Sequence, residues 1–183
     1  VKRVYFVGIG GIGMSALARY FAKQGKVVCG YDRTQSSLTL ELEQEGIDIH
    51  YVDEVNLIPR DFRGDIEGTL VVYTPAVPKN HSELNFFIDN KYKVVKRAEA
   101  LGVIASVMKT LGVAGTHGKT TTSTLLAHLL SKSAIGCDAF LGGIAKNFKS
   151  NLVVGNHGSN LLVVEADEFD RSFLSLHPHL AII

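Results

Sequence analysis

Two short stretches of this sequence combine glycine with residues that handle phosphate. The second of them, Val113-Ala114-Gly115-Thr116-His117-Gly118-Lys119-Thr120-Thr121, is a variant of the phosphate loop GxxxxGK[ST] with valine in place of the first glycine. The part that carries the chemistry is intact. Gly115, Thr116, Gly118 and the N–H groups of Thr120 and Thr121 would face phosphate at a helix N-terminus. Lys119 supplies a point charge to β- and γ-phosphates, and the Thr120 hydroxyl is a hard oxygen ligand for Mg²⁺. His117 lies inside the loop, within reach of phosphate or substrate, so Lys119 and His117 are the candidate catalytic residues. Such a loop needs a carboxylate at the end of a neighbouring strand to help hold the metal. Leu161-Leu162-Val163-Val164-Glu165 offers Glu165 at that point, with Asp167, Glu168 and Asp170 close behind. Loop and carboxylate together predict ATP with Mg²⁺, and hence phosphoryl transfer.

The first stretch is Gly8-Ile9-Gly10-Gly11-Ile12-Gly13, a GxGxxG pattern directly after an apolar run. Glycine there permits the tight turn, the approach of backbone N–H groups to a diphosphate, and close helix–strand packing. Asp32 follows Gly13 by 19 positions, where a carboxylate meets a ribose hydroxyl. Gly8, Gly10, Gly11, Gly13 and Asp32 therefore read as a diphosphate-nucleotide site. A nicotinamide or flavin dinucleotide and a UDP-sugar carry the same diphosphate, so the pattern alone leaves both open. GKTT and Glu165 have no role in an NAD(P)-dependent oxidoreductase, which counts against that alternative. A non-catalytic nucleotide-binding module is a further alternative.

These loops need strands and helices in alternation, and the sequence supplies them. Apolar runs at 3–7, 26–31, 47–51, 70–73 and 93–95 read as strands; residues 11–24, 36–45, 82–90 and 98–108 read as helices. Met14, Leu17, Ala18 and Phe21 fall on one face of the first helix, and Gly25 and Gly46 end the first two. Residues 53–68 are charged and loop-like. The pattern then restarts, with a strand at 110–114, a turn at 115–119, a helix at 120–131 and strands at 161–164 and 180–183. The fold class is α/β: a Rossmann-like unit with a parallel sheet, 1–104, followed by part of a phosphate-loop α/β unit, 105–183.

Composition excludes several classes. With 19 Lys+Arg against 18 Asp+Glu there is no basic field for nucleic acid or an anionic membrane. No apolar run approaches the roughly 20 residues of a membrane span. Cys29 and Cys137 are far apart and without ligand spacing, which suits a reducing, cytoplasmic compartment. Cys29 reads as a small core residue. His50, His81, His128, His157, His177 and His179 show no metal-ligand spacing among themselves, and Phe169 and Phe173 read as anchors of the acidic segment. The sequence begins at Val1 rather than Met and ends within an apolar run, which suggests a piece of a longer protein.

Three motifs in this order, GIGGIGMSALA (8–18), AGTHGKTTT (114–122) and VVEADEFDRSFL (163–174), resemble the Mur ligases of peptidoglycan synthesis. TPAVPKNHSELNFF (74–87) and RAEALG (97–102) also fall where that family has them. The resemblance implies UDP-N-acetylmuramic acid bound by the first unit, with Gly8, Gly10, Gly11 and Gly13 at its diphosphate, Asp32 toward ribose or uracil, and Thr74 and Ala76 lining the pocket. It implies ATP on Gly115, Thr116, Gly118, Lys119, Thr120 and Thr121, and Mg²⁺ on Thr120 and Glu165. ATP would phosphorylate the lactyl carboxylate, and an amine, L-alanine or alternatively a tripeptide, would attack the acyl phosphate. Relatives carry Gly-His shortly after the third strand, where this chain has Val52-Asp53. Only 79 residues run from position 105 onward, so the adenine and amino-acid sites are expected beyond residue 183, and the 183-residue chain alone is expected not to complete the ligation.

Overall fold

In the computed structural model, which describes residues 1–155, 159–166 and 175–183, the first apolar run forms β1 (Arg3–Val7), with Val4 to Val7 fully buried. β2 (Val27–Tyr31) and β4 (Thr69–Tyr73) flank it in parallel, and β3 (Asp48–His50) and β5 (Lys93–Lys96) complete the order β3-β2-β1-β4-β5. Near-continuous burial of the central strands is what a parallel sheet covered on both faces requires. The chain steps outward from β1 to β3 and then returns to β4 on the other side of β1. That reversal opens a crevice at the carboxyl ends of β1 and β4.

The helices follow from local chemistry. α1 (Ile12–Lys23) buries Met14, Leu17 and Ala18, and its buried Arg19 pairs with Glu45 at 2.8 Å and Glu41 at 2.9 Å. Both acids belong to α2 (Ser37–Gln44) and its end, so a paired buried charge locks the two helices together. α2 opens on a capping box, in which Ser36 N–H donates to Thr39 Oγ1 at 2.8 Å and Thr39 N–H to Ser36 Oγ at 3.3 Å. α4 (Ser82–Asp89) connects β4 to β5. Residues 53–68, expected to be loop, instead hold a 3-10 turn at Val55–Leu57 and the short helix α3 (Arg60–Gly64). The reason is burial: Ile58 and Phe62, four residues apart, are 1% and 3% exposed and join the core around Tyr5, Val71 and Phe87.

The chain divides into two units, Val1–Arg97 and Ala98–Ile183, so α5 (Arg97–Ser106) falls almost wholly in the second. There β6 (Lys109–Val113) lies between β9 (Leu161–Glu165) and β10 (Leu180–Ile182), all parallel. β7 (Asp138–Ala145) pairs in parallel with the other edge of β9, and β8 (Ser150–Val153) adds an antiparallel edge, giving β10-β6-β9-β7-β8. α6 (Lys119–Lys132) packs Ala127 into a core with Cys137, Ala139, Leu141 and Val163. β7 and β8 were not anticipated from sequence. Gly142-Gly143 and Lys146-Asn147 interrupt the apolar pattern, and it is pairing of Asp138 to Phe140 with Leu162 to Val164 that makes this segment a strand.

Candidate functional site

In the first unit a cavity of about 480 Å³ opens at the carboxyl ends of β1, β2 and β4. Gly8, Gly11, Asp32, Thr74 and Ala76, all expected site residues, line it. Gly8 has φ +88°, and a Cβ there would stand 2.6 Å from Thr74 Cγ2, so glycine is what lets the loop close on the 74–77 turn. The Gly8 and Ile9 N–H groups donate to Tyr31 O at 2.8 and 3.0 Å, which fixes the loop to the end of β2. Asp32 accepts from Gly10 N–H at 2.6 Å through Oδ2 and from Thr34 N–H at 3.1 Å through Oδ1. The carboxylate at the mouth of the cavity therefore ties together the two loops that form it. Gly10 and Gly13 lie outside the cavity lining: Gly10 backs onto Thr39 and Asp32, and Gly13, in the first turn of α1, faces the Arg97 guanidinium.

The opposite wall is built by residues that the motifs did not single out for this role, among them Tyr31, Asp53, Asn80 and His81. Asp53 accepts from Ser82 N–H at 2.9 Å and Glu83 N–H at 3.1 Å, capping the N-terminus of α4 from across the unit. His81 is 4% exposed and sits edge-on to Tyr31, ring centroids 4.5 Å apart. Its Nδ1 lies between the Leu84 N–H (3.3 Å) and Asp53 Oδ1 (3.2 Å), and the tautomer decides which it binds. Behind this wall Glu83 is fully buried and accepts from Tyr5 Oη–H at 2.5 Å, His50 Nε2 at 2.7 Å and Glu54 N–H at 3.2 Å. Three donors satisfy the buried charge. Burial first, and the Glu83 charge second, push the Tyr5 phenol far above its ordinary range, so it remains a donor. Thus α4 caps the segment after β3 with Glu83, and that segment caps α4 with Asp53. Asp53 holds the Glu83 N–H and Glu83, 30 residues on, holds the N–H of the next residue, Glu54, a pairing that no local pattern announces.

In the second unit the phosphate loop joins β6 to α6, as its motif requires. Gly118 caps α6 with φ +80°, and Lys119 Nζ folds back to donate to Gly115 O at 2.7 Å. Thr116, His117, Thr120 and Thr121 are exposed. The Thr120 hydroxyl donates to Glu165 Oε2 at 3.1 Å, which brings the two expected metal ligands together from α6 and the end of β9. Hydroxyl and carboxylate oxygens form a hard donor pair that fits Mg²⁺ better than a soft metal. Ser123 Oγ and Gly142 N–H each stand 2.8 Å from Glu165 Oε1. Sequence reasoning missed both, although Ser123 shares a helix face with Thr120 three residues earlier. Asp167, Glu168, Phe169, Asp170, Phe173 and His157 lie outside the described residues. Cys29 and Cys137 are buried free thiols; burial raises both, Cys137 to about 11, which keeps them unreactive.

Residues 3–108 match the Mur ligase family, catalytic domain. Among curated relatives, the UDP-N-acetylmuramate–L-alanine ligases of Porphyromonas gingivalis and Flavobacterium johnsoniae are 60% and 56% identical over 183 residues, all of this chain and 40% of theirs. Among solved structures, UDP-N-acetylmuramate–alanine ligase of Thermotoga maritima matches with TM-score 0.87 and 30% identity, covering 99% of this chain and 40% of that one. The UDP-N-acetylmuramate:L-alanyl-γ-D-glutamyl-meso-diaminopimelate ligase of Neisseria meningitides matches with TM-score 0.87 and 26% identity, over 100% of this chain and 60% of that one. The chain thus spans about two fifths of the length of the curated relatives it matches. With a family match over more than half its residues, and both motif loops placed at the ends of parallel strands, the chain belongs to the Mur ligase family.

Proposed function

We propose that this chain provides the UDP-sugar and phosphoryl-handling parts of an ATP-dependent ligase that joins L-alanine to UDP-N-acetylmuramic acid in peptidoglycan synthesis. The observation that carries the reading is the 3.1 Å contact between the Thr120 hydroxyl and the Glu165 carboxylate beside a lysine-bearing phosphate loop. Residues 1–104 take the UDP-sugar, and residues 105–183 take ATP. No cluster of three or more His, Cys, Asp or Glu exists among the described residues. Thr120 and Glu165 would therefore hold Mg²⁺ together with phosphate oxygens, as magnesium sites do. Bound there, Mg²⁺ supplies charge neutralisation for the β- and γ-phosphates.

The chain's own residues then divide the work. Lys119 exchanges its contact with Gly115 O for phosphate oxygens and balances charge on the transferring group. The N–H groups from Gly118 to Thr121 orient the phosphates, and exposed His117 stands at the loop tip for the incoming carboxylate. Gly8 and Gly11 admit the diphosphate of the sugar nucleotide, and Asp32 rigidifies the loop while facing the ribose or base. In the reaction a lactyl carboxylate oxygen attacks the γ-phosphorus and ADP leaves. The alanine nitrogen then attacks the acyl carbon, phosphate leaves, and the amine gives up its proton. Alanine as the amine rests on the names of relatives 56–60% identical, and no helix among the described residues is long and apolar enough to cross a membrane. Phosphate release from ATP by the protein that carries this chain tests the reading. Release that requires both UDP-N-acetylmuramic acid and L-alanine is expected; release that requires the tripeptide instead, or neither, overturns it.

A further inference from the structure

Glu165 is held by a more specific arrangement than a Mg²⁺ ligand needs for mere reach. Ser123 is fully buried on α6, and its Oγ lies 2.8 Å from Glu165 Oε1 and 3.1 Å from Thr120 O. A hydroxyl has one hydrogen, and the shorter, charged acceptor takes it. The second donor comes from β7. That strand pairs with β9 through Asp138–Leu162, Ala139–Val163 and Phe140–Val164 and then runs past the end of its partner. At Gly142 its N–H meets the side chain that closes β9 and donates to the same Oε1 at 2.8 Å. The approach is so close that a Cβ on Gly142 would overlap the Glu165 carboxylate. Oε1 thus carries two donors from two elements, whereas Oε2 meets only the Thr120 hydroxyl among the described residues.

We propose that Ser123 and the Gly142 N–H are positioning groups that split the Glu165 carboxylate, committing Oε1 to the protein and leaving Oε2 alone to face a cation beside Thr120. The idea rests on the reading of this loop as a Mg²⁺–ATP site. Its consequence is selectivity. Mg²⁺ takes single carboxylate oxygens in a small octahedral shell, whereas Ca²⁺ accepts both oxygens of one carboxylate in a larger, looser one. A carboxylate with one oxygen already committed offers the first mode and withholds the second. Ser123 and Gly142 therefore favour Mg²⁺ over Ca²⁺ without touching either ion.

The test is ATP titration of the protein that carries this chain in Mg²⁺, in Ca²⁺ and in EDTA, for the parent, Ser123→Ala, Glu165→Gln and the double variant. Ser123→Ala is expected to weaken Mg²⁺-supported binding about 10-fold, the scale of lost support behind a metal ligand. Ca²⁺-supported binding should fall less, affinity in EDTA should stay unchanged, and the substitution should have no further effect once Glu165→Gln is present. If Glu165→Gln loses the Mg²⁺ effect while Ser123→Ala keeps the parent's ratio, the positioning role is wrong and the site stands. Equal losses in Mg²⁺, Ca²⁺ and EDTA would also overturn it, since they mark a structural role only. A parent protein whose ATP binding ignores Mg²⁺, or a Glu165→Gln variant that keeps the parent's full Mg²⁺ effect, would overturn the site reading and this proposal together.

Discussion

The two glycine loops begin alike, each leaving a parallel strand and entering a helix, and are completed differently. The first contributes no charge of its own. Its shape is set by contact of Gly8 with Thr74, and one of its N–H groups is engaged by Asp32 at 2.6 Å. The walls around it are fixed by reciprocal caps, Asp53 on α4 and Glu83 on the segment after β3. The second loop is exposed at its tip and carries its own cation, with the Thr120 hydroxyl and the Glu165 carboxylate beside it. A walled cavity suits a ligand that is held intact, and an exposed loop with matched charges suits a phosphate group that must be handed on. Glycine makes both loops possible, and the neighbouring residues decide what each is for.

The sharpest way to break this contrast is to remove the charge from the second loop. Lys119→Ala should weaken Mg²⁺–ATP binding about 100-fold, as loss of a bond between charged partners does, and leave binding of the UDP-sugar unchanged. Parallel titrations of both ligands would check it. Next in size is Gly8→Ala. Its positive φ and the overlap with Thr74 predict a destabilisation of about 1–3 kcal/mol with weakened UDP-sugar binding, and no change in ATP affinity. Denaturant unfolding followed by titration would show whether the damage stays in the first unit.

Much of this contrast was legible in the sequence, and the remainder was hidden for identifiable reasons. Strands β1, β2, β4 and β9 were readable because a strand buried on both faces is a near-continuous apolar run. Lys119, Thr120 and Glu165 stood out as candidates because phosphate and Mg²⁺ call for an amine, a hydroxyl and a carboxylate where strands meet loops. The fold brings the Thr120 hydroxyl to 3.1 Å from the Glu165 carboxylate. Asp53 looked like one acid in a charged loop, because its partners Ser82 and Glu83 lie 29 and 30 residues on and only the fold brings them near. Ile58 and Phe62 were lost for a related reason: a two-residue apolar pair among charges is too short to show a period. Gly142 could be found only through the pairing of β7 with β9, which no local composition encodes.

A third prediction uses that hidden wall. Asp53→Ala removes the cap of α4 and should destabilise the first unit by about 1 kcal/mol. For a unit of this size that corresponds to a melting temperature lower by about 4–8 °C, readable by calorimetry. The smallest expected effect concerns alkali. Burial chiefly, with Asp138 adding, raises the Cys137 thiol from its ordinary 9.0 to about 11. Between those values the unfolded chain has released a proton that the folded one keeps, so stability is full below about pH 9 and falls as pH rises toward 11. Cys137→Ala should make that part of the melting profile shallower, with the slope from Cys29 and the buried tyrosines remaining; an unchanged slope would mean the Cys137 thiol does not contribute.

The central claim, that the two loops bind different phosphates for different purposes, is tested most directly by calorimetric titration of the protein that carries this chain with UDP-N-acetylmuramic acid, Mg²⁺–ATP and NADH. The account predicts one saturable site each for the sugar nucleotide and for Mg²⁺–ATP, neither displacing the other, and no binding of NADH. NADH that binds and displaces UDP-N-acetylmuramic acid, or ATP that competes with it for a single site, would contradict the account.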